Sequence, residues 1–324
     1  MKSPDILVSV GLPVRNGADR IGEVVRSVLA QDHHRIELVI CDNASTDCTE
    51  DVCRDLVQAD SRIVYRRHQH NIGLLNNFNS AIQIAKGTYF RWIGDDDWLA
   101  PDFVSRTLEC FAEDERQTLV TTRIAYTSSD GVTTSSDISY DGALMASHDP
   151  VERFTEIMRL LNESYLLIDP LYGLVRREPV AAIPRRNILR EDEVFAAKLA
   201  LAGPWGHVPL ILAGRNTRVE PLPQLARHLG VPGWQAHMAT ILQCREILRW
   251  IGQSELDEDQ ERQVRAAVHR MYLRRQTRTF VRRGRKLGRI AFSAIRQGRR
   301  AGLNQPTGLP EAAAPTGTAA RSER

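Results

Sequence analysis

The feature that most restricts the fold is a regular alternation of strand-like and helix-like segments between residues 6 and 94. Short β-branched or apolar runs, typical of buried strands, alternate with segments whose apolar residues recur at helical spacing. The strand-like runs are residues 6–14, 36–42, 62–67 and 88–94. The helix-like segments are residues 19–31 and 74–87, and a Ser, Thr and Asp cluster at 45–47 predicts the N-terminus of another helix. This series predicts an α/β fold with a mainly parallel sheet and helices on both faces.

Several of these strands end in residues that are candidates for a binding site. Pro13, Val14 and Arg15 end the first strand, Asp42 ends the second, and the three carboxylates Asp95–Asp97 follow the fourth. Ligands of open α/β sheets gather beyond the carboxyl ends of the strands, so a binding site is expected at this edge. Three adjacent carboxylates repel each other, which predicts a positive charge beside them.

The usual nucleotide-binding signatures are absent from the sequence. It contains neither G-x-G-x-x-G after the first strand nor G-x-x-x-x-G-K-[ST], which disfavours dinucleotide oxidoreductases and P-loop enzymes. A carboxylate-rich edge suits Mg²⁺ or Mn²⁺, because these cations prefer oxygen ligands and let substrate phosphates complete their coordination. The competing interpretation of Asp95–Asp97 is a solvated acidic turn.

Four segments resemble, in order and spacing, the family 2 glycosyltransferases, which have the GT-A fold. They are VSVGLPVRNG, VICDNASTD, NIGLLNNFNSAIQIAKGTYFRWIGDDDWLAPD and REDEVFAAKLALAG. The resemblance covers about residues 6–220. It implies transfer of a sugar from a nucleotide diphosphate donor to an acceptor hydroxyl, with inversion at the anomeric carbon. UDP-sugar is the default donor, with dTDP- or GDP-sugar as the alternative.

The resemblance also implies roles for individual residues. Asp96 matches the ligand of Mg²⁺ or Mn²⁺, and Asp97 either touches the same metal or caps the helix after Pro101. Many relatives have a further aspartate where this sequence has Gly94. The expected nucleotide-sugar-binding residues are Pro13, Val14, Arg15, Asp42, Asn71, Gly73 and Asp95.

Asp192, in the segment REDEV, matches the general base of the family. An acceptor hydroxyl is a weak nucleophile, and a carboxylate within hydrogen-bond reach can take its proton during the attack. The competing interpretation is that Glu191, Asp192 and Glu193 form the acidic first turn of a helix and complement its dipole. Turn and N-cap roles compete in the same way for Asp42 and Asp47.

The predicted domain organisation has three parts. Residues 1–220 form the GT-A domain, with a nucleotide-sugar-binding half at 1–100 and an acceptor half at 101–220. Residues 221–300 form a helical basic extension, and residues 301–324 a disordered tail. Polar strands around a Ser-Asp-Gly turn are expected at 120–140, beside the acceptor. The spacing in QCREILRW does not match Q-x-x-R-W of processive synthases, which favours transfer of a single sugar.

The positive charge of the chain is concentrated near its C-terminal end. Residues 262–300 contain 14 Arg and Lys and no acid, whereas the other residues carry 29 bases against 40 acids. From Phe280 onward, apolar residues recur on roughly one helical face with bases beside them, which predicts peripheral contact with an anionic membrane. The alternative is packing of this basic segment against the acidic remainder. Aromatic residues are sparse there and no recognition motif accompanies them, so no nucleic-acid partner is expected.

Cysteine usage and hydropathy predict a cytosolic protein, peripheral at the inner face of the membrane. The five cysteines form no C-x-x-C pair, the N-terminal segment lacks the apolar core of a signal peptide, and no run approaches the length of a membrane span. The expected product is a cell-surface glycan, a glycolipid or a glycosylated metabolite. A lipid-linked molecule is one of the expected acceptors. The alternative functions are a sugar-phosphate nucleotidyltransferase and a non-enzymatic polyanion-binding protein.

Overall fold

The fold is taken from a computed structural model that describes residues 5–128, 132–135, 144–163, 169–217 and 220–278. The chain divides into a compact unit of residues 1–274 and a second unit of residues 275–324. Of the second unit, only residues 275–278 are described, and they are helical.

Within its described residues, the first unit contains nine strands and nine α-helices, followed by one further helix that begins at residue 258. The strands are β1 (Val8–Val14), β2 (Ile36–Asp42), β3 (Ile63–Arg67), β4 (Tyr89–Trp92), β5 (Trp98–Leu99), β6 (Leu119–Ser128), β7 (Thr133–Ser135), β8 (Leu174–Arg176) and β9 (Trp205–Thr217). The helices are α1 (Ile21–Leu29), α2 (Thr49–Ala59), α3 (Leu74–Ile84), α4 (Phe103–Glu113), α5 (Pro150–Leu160), α6 (Arg177–Ala181), α7 (Glu191–Ala202), α8 (Leu222–His228) and α9 (Gln235–Ile251). Short 3-10 helices span Leu144–Ala146 and Asp169–Tyr172.

The first four strands form the parallel half of the sheet, as the sequence predicts. β1 pairs in parallel with β2 and β4, and β2 pairs in parallel with β3. Val14 lies opposite Asp42 in this register, so the predicted site residues at the ends of β1 and β2 meet at one edge. The helix predicted near 45–47 begins slightly later, at Thr49, and Asp47 Oδ1 accepts a hydrogen bond from Thr49 N at 3.1 Å.

The second half of the sheet is mixed, so the predicted parallel pairing holds throughout β1–β4 and, beyond them, only between β6 and β9 within the described residues. The strand order is β3-β2-β1-β4-β8-β6-β9-β5, with β7 paired to β6. β8 is antiparallel to both β4 and β6, and β9 is parallel to β6 but antiparallel to β5. The chain after residue 100 lacks the strict strand and helix alternation that forces neighbouring strands to run in parallel.

Alternate side chains of the central strands enter two apolar cores, one on each face of the sheet. Leu38 and Ile40 of β2 pack with the residues of α1, whereas Val39 and Cys41 pack with α3 and with the helices of the second half. This alternation follows from the two-residue side-chain period of a strand. Helices therefore cover both faces, which confirms the predicted fold class.

The described part of the C-terminal extension packs into the same core. Residues 258–278 are helical, and Val264, Val268 and Met271 are buried in a cluster that also contains Ile247 and Ile251 of α9. The segment from Phe280 to residue 300, predicted to contact a membrane, and the tail 301–324 lie outside the described residues. None of the helices in the described part of the chain is long and apolar enough to span a membrane.

Candidate functional site

The residues predicted to contact the nucleotide lie at the carboxyl ends of β1 and β2. Pro13 and Val14 are buried in the sheet and lie opposite Cys41 and Asp42. Arg15, the next residue, is exposed just beyond the strand. The predicted site residues of the first two strands therefore form one continuous edge.

Asp42 is fully buried and already holds the loop between β2 and α2. Its Oδ1 accepts hydrogen bonds from the backbone N–H of Ser45 at 2.8 Å and from the Ser45 hydroxyl at 2.5 Å. Its Oδ2 accepts a hydrogen bond from the Tyr65 hydroxyl at 2.8 Å and lies 3.5 Å from Arg67 Nε. The turn role that competes with nucleotide binding is therefore present. A carboxylate offers about four lone-pair sites, so this network leaves little further capacity for a ligand donor.

Asn71 and Gly73 lie in the loop that enters α3, beside the same edge. Asn71 Oδ1 accepts hydrogen bonds from Asn43 Nδ2 at 2.7 Å and from Gly73 N at 2.9 Å. Gly73 has a φ of +87°, a conformation that side-chain-bearing residues rarely adopt. Since Asn43 directly follows Asp42, these contacts fix the loop against the end of β2.

Asp95 is paired with an arginine that precedes α1. Arg20 Nη2 donates to Asp95 Oδ2 at 2.6 Å and to the carbonyl oxygen of Asn16 at 2.9 Å. The hydrogen bond to Asp95 raises the pKa of Arg20, so this guanidinium stays charged. The predicted neighbour of the nucleotide sugar is thereby linked to the loop after β1.

Asp97 is buried and makes an internal turn instead of capping a helix. Its Oδ2 accepts a hydrogen bond from Gly94 N at 3.0 Å and pairs with Arg215 Nε at 3.4 Å. Helix α4 begins later, at Phe103, so the predicted capping role of Asp97 is wrong. A Cβ atom at residue 94 would lie 2.9 Å from Asp97 Oδ2, so glycine leaves the room that this carboxylate needs.

The donor set around Asp96 fits a divalent cation that is bound jointly with a substrate. Asp96 lies between Asp95, which pairs with Arg20, and Asp97, which pairs with Arg215. Mg²⁺ is commonly held by one or two carboxylates together with substrate phosphates and water. Within the described ranges, no group of three or more His, Cys, Asp or Glu side chains is arranged to hold a metal. The geometry therefore suits a cation shared with a diphosphate better than a closed protein cage.

Asp192 lies in the first turn of α7, between two carboxylates that are each paired with an arginine. Glu191 accepts from Arg185 Nε at 2.7 Å, and Glu193 accepts from Arg190 Nη1 at 2.5 Å. The contact of Asp192 in the described chain is a hydrogen bond from Glu193 N at 2.9 Å. Burial, together with the charge of Glu193, raises the pKa of Asp192 to about 6. Asp192 is thus the carboxylate of this turn that can accept a proton near neutral pH.

A cavity of about 180 Å³ opens beside Asp192. Tyr172 forms part of its wall, and the guanidinium of Arg215 lies 3.5 Å from the centre of the Tyr172 ring. Because Arg215 also pairs with Asp97, contacts between side chains link the wall of this cavity to the acidic segment.

Arg20, Tyr172 and Arg215 join the predicted residues together, and sequence reasoning missed all three. The repulsion among Asp95–Asp97 did predict a compensating charge, but two arginines supply it in this structure. They pair over separations of 75 and 118 residues, which no local pattern reveals. The segment GRNTRVE, which contains Arg215, has no clean match to the Arg-x-His that the family resemblance would place there, so it gave no usable signal.

Comparison with known families and curated proteins points to sugar transfer. The profile described as glycosyl transferase family 2 matches residues 9–183, slightly more than half of the chain. The UDP-Glc:alpha-D-GlcNAc-diphosphoundecaprenol beta-1,3-glucosyltransferase WfaP of Escherichia coli is 34% identical over 110 residues, which is 34% of this chain and 43% of WfaP. The glycosyltransferase GlyA of Streptococcus pneumoniae is 27% identical over 128 residues, which is 40% of this chain and 18% of GlyA. The chain thus spans less than half the length of these relatives.

Solved structures share the fold. Staphylococcus aureus TarS in complex with UDP aligns with a TM-score of 0.58 at 17% identity, over 81% of this chain and 70% of the TarS chain. The mannosyltransferase PcManGT from Pyrobaculum calidifontis, in complex with GDP-Man and Mn²⁺, aligns with a TM-score of 0.55 at 14% identity, over 94% and 84%. Both likenesses agree with the GT-A fold that the sequence motifs imply.

Proposed function

The chain belongs to glycosyl transferase family 2, and we propose that it transfers one sugar from a nucleotide diphosphate sugar to an acceptor hydroxyl with inversion. The observation that carries this proposal is the environment of Asp192 and its raised pKa. Its two neighbouring carboxylates are paired with arginines, and its own pKa is raised to about 6. It also lines a cavity whose wall residue Tyr172 contacts Arg215, the partner of Asp97. These are the properties required of a general base in the acceptor half.

In the proposed reaction, Asp192 accepts the proton of the acceptor hydroxyl while the hydroxyl oxygen attacks the anomeric carbon. The bond between that carbon and the oxygen of the diphosphate breaks, and its electron pair leaves with the diphosphate. A single displacement of this kind inverts the anomeric configuration. The pKa of about 6 leaves Asp192 ionised at neutral pH, ready to take the proton.

We propose that Asp96 holds Mg²⁺ or Mn²⁺ together with the donor. A divalent cation at this position would supply charge stabilisation to the departing diphosphate. Arg20 fixes Asp95 and Arg215 fixes Asp97, so the acidic segment has a defined shape before any donor arrives. The Mn²⁺ in the PcManGT complex supports a metal requirement in this fold.

UDP-sugar is the donor that the comparisons favour. The name of WfaP specifies UDP-Glc, and TarS was crystallised with UDP. GDP-sugar remains the alternative because PcManGT was crystallised with GDP-Man. The nucleotide would lie at the ends of β1 and β2, against Pro13, Val14, Arg15 and Asp42, with Asn71, Gly73 and Asp95 at its edge.

The acceptor and the location are proposed from the sequence and from WfaP. The name of WfaP specifies an acceptor linked to diphosphoundecaprenol, which supports a lipid-linked acceptor and synthesis of a cell-surface glycan. The five cysteines are all free thiols, in keeping with a reducing cytosol. Contact of the basic segment 262–300 with the inner face of an anionic membrane would bring the enzyme to such an acceptor.

A thermal-shift panel tests the donor part of this proposal. UDP, dTDP and GDP, and the corresponding sugars, are added with and without Mn²⁺ to the wild type and to Asp96→Asn. A ligand at about 100 times its Kd stabilises by about 2.7 kcal/mol, which is about 5 °C or more for a domain of this size. We expect one nucleotide class to stabilise the wild type in a Mn²⁺-dependent manner, and Asp96→Asn to lose that dependence. Absence of a shift with every nucleotide would contradict the proposal.

A further inference from the structure

We infer that the acceptor carries an apolar group close to its reacting hydroxyl, and that this group occupies the cavity beside Asp192. The inference rests on the proposed function, because it assumes that Asp192 is the base. It adds the chemical class of the acceptor, for which the cavity wall provides the argument.

Helix α3 supplies one apolar wall of the cavity. Leu74, Leu75 and Phe78 all line it, and Leu74 keeps 48% of its surface exposed. Helix α3 therefore presents apolar surface to any ligand that enters the cavity.

The opposite wall comes from α8 and the residues after it. Leu225 and Leu229 line the cavity, and both pack against the small cluster formed by Leu189, Ala226 and Ala239. Leu171 and Ile188 add further apolar surface. Apolar side chains of α3 and α8 therefore line the same cavity as Asp192.

Most polar groups of the wall are paired with another protein group, and two further donors, Arg185 Nη1 and Arg190 Nε, are buried without a hydrogen-bond partner. Arg185 is paired with Glu191, Arg190 is paired with Glu193, and Asn187 Nδ2 donates to the carbonyl oxygen of Leu229 at 2.9 Å. Sugar hydroxyls entering the cavity would lose their hydrogen bonds to water and find few replacements, which disfavours binding. A hydrocarbon group loses no hydrogen bond there and buries apolar surface.

The volume limits the size of this group. An apolar cavity of about 150 Å³ is large enough to hold benzene, and this cavity measures about 180 Å³. It therefore accepts roughly six to eight carbon atoms, either an aromatic ring or the first part of an alkyl chain.

Three glycosides that share one sugar test the inference. Methyl, benzyl and n-octyl β-D-glucopyranoside, the last below its micelle concentration, are titrated into the full chain with UDP and Mn²⁺, and binding is followed by ligand-observed NMR. Each buried methylene should tighten binding about fourfold, so we expect the benzyl or octyl compound to bind at least about tenfold more tightly than the methyl compound. Preference for benzyl would indicate an aromatic acceptor and preference for octyl a lipid chain. Equal affinity of all three would overturn the inference.

A pair of variants on the same helix locates the binding. Leu225→Asn places an amide in the cavity wall, whereas Leu222→Asn changes a partly buried leucine of α8 that does not line the cavity. We expect Leu225→Asn to weaken binding of the preferred glycoside about tenfold and Leu222→Asn to leave it within about twofold. Wild-type affinity in Leu225→Asn, or equal weakening in both, would contradict the assignment.

Failure of the inference can be separated from failure of the proposed function. The glycoside titrations need no turnover, and UDP binding is measured in the same samples. A protein that binds UDP and Mn²⁺ but does not distinguish the three glycosides would retain the proposed function and lose the inference. A protein that binds no nucleotide diphosphate would lose the proposed function itself.

Discussion

Arg215 Nε lies 3.4 Å from Asp97 Oδ2, and the same guanidinium lies 3.5 Å from the centre of the Tyr172 ring. Asp97 belongs to the acidic segment after β4, and Tyr172 lines the cavity at Asp192. One arginine of β9 therefore joins the two halves of the candidate site. Arg215 is therefore part of the candidate site, although it lies in neither of the two acidic segments, 95–97 and 191–193.

Breaking the Arg215 pair should destabilise the protein. Asp97 keeps 2% and Arg215 14% of its side-chain surface exposed, so Arg215→Gln would leave a buried carboxylate without this partner. We expect a loss of about 3 kcal/mol in the free energy of unfolding, measured by urea denaturation. Asp97→Asn in the Arg215→Gln background should recover part of that loss.

The matched control is the exposed pair between Arg262 and Asp259, whose side chains are 74% and 78% exposed. Arg262→Gln should change the free energy of unfolding by less than about 1 kcal/mol. Equal effects of the two arginine substitutions would show that the pair at Asp97 has no special role.

Asp192→Asn should separate donor binding from transfer. Asparagine keeps the size of the side chain but cannot accept the proton of the acceptor. Transfer should fall by about 10²- to 10⁴-fold, while the Kd for the nucleotide sugar stays close to wild type. Titration calorimetry and a transfer assay on the same preparation check this. A large loss of donor affinity would instead indicate a structural or nucleotide-binding role.

The raised pKa of Asp192 predicts how transfer depends on pH. Burial favours the neutral acid and raises the pKa to about 6, and only the ionised form can act as a base. Transfer, measured as kcat/KM, should therefore rise about tenfold per pH unit below pH 6 and level off above it. In Asp192→Asn the residual rate should lack this inflection. A wild-type profile that is flat between pH 5 and 8 would contradict the assignment.

Peripheral membrane binding by the basic segment can be tested with a truncation that spares the core. Because Val264, Val268 and Met271 are buried, the chain is cut after residue 278 instead of at the start of the basic segment. We expect the full chain to sediment with anionic vesicles at low salt, and the truncated chain to stay in the supernatant yet bind UDP normally. If the full chain never sediments, the membrane proposal fails.

The first half of the fold was predictable because its pattern is local. Each of β1–β4 is a short β-branched or apolar run next to a helical segment. This alternation predicts the type of each element and the parallel pairing of the strands. The resemblance placed Asp42, Asp95 and Asp96 at strand ends, where the structure has them. The second half depends on long-range antiparallel pairing of β8 with β4 and β6, which local periodicity does not encode.

The partners of the predicted site residues were not predictable for the same reason. Asp95 and Asp97 were singled out as carboxylates, yet their arginines come from the N-terminus of α1 and from β9. The apolar lining of the cavity at Asp192 combines residues of α3 and α8. These helices are far apart in the sequence, so neither helix alone predicts the cavity. Sequence thus identified the charged groups, and the tertiary structure determined their pairing.

The most direct test of the central claim is to identify the bond that is cleaved in the donor. The protein is incubated with Mn²⁺ and UDP-, dTDP- and GDP-sugars labelled with ¹³C at the anomeric carbon, together with the preferred glycoside, and the products are followed by NMR. Transfer predicts a nucleoside diphosphate and a new glycosidic bond with inverted anomeric configuration. No cleavage of any donor, or release of a sugar 1-phosphate with formation of a nucleoside triphosphate when pyrophosphate is added, would contradict the account.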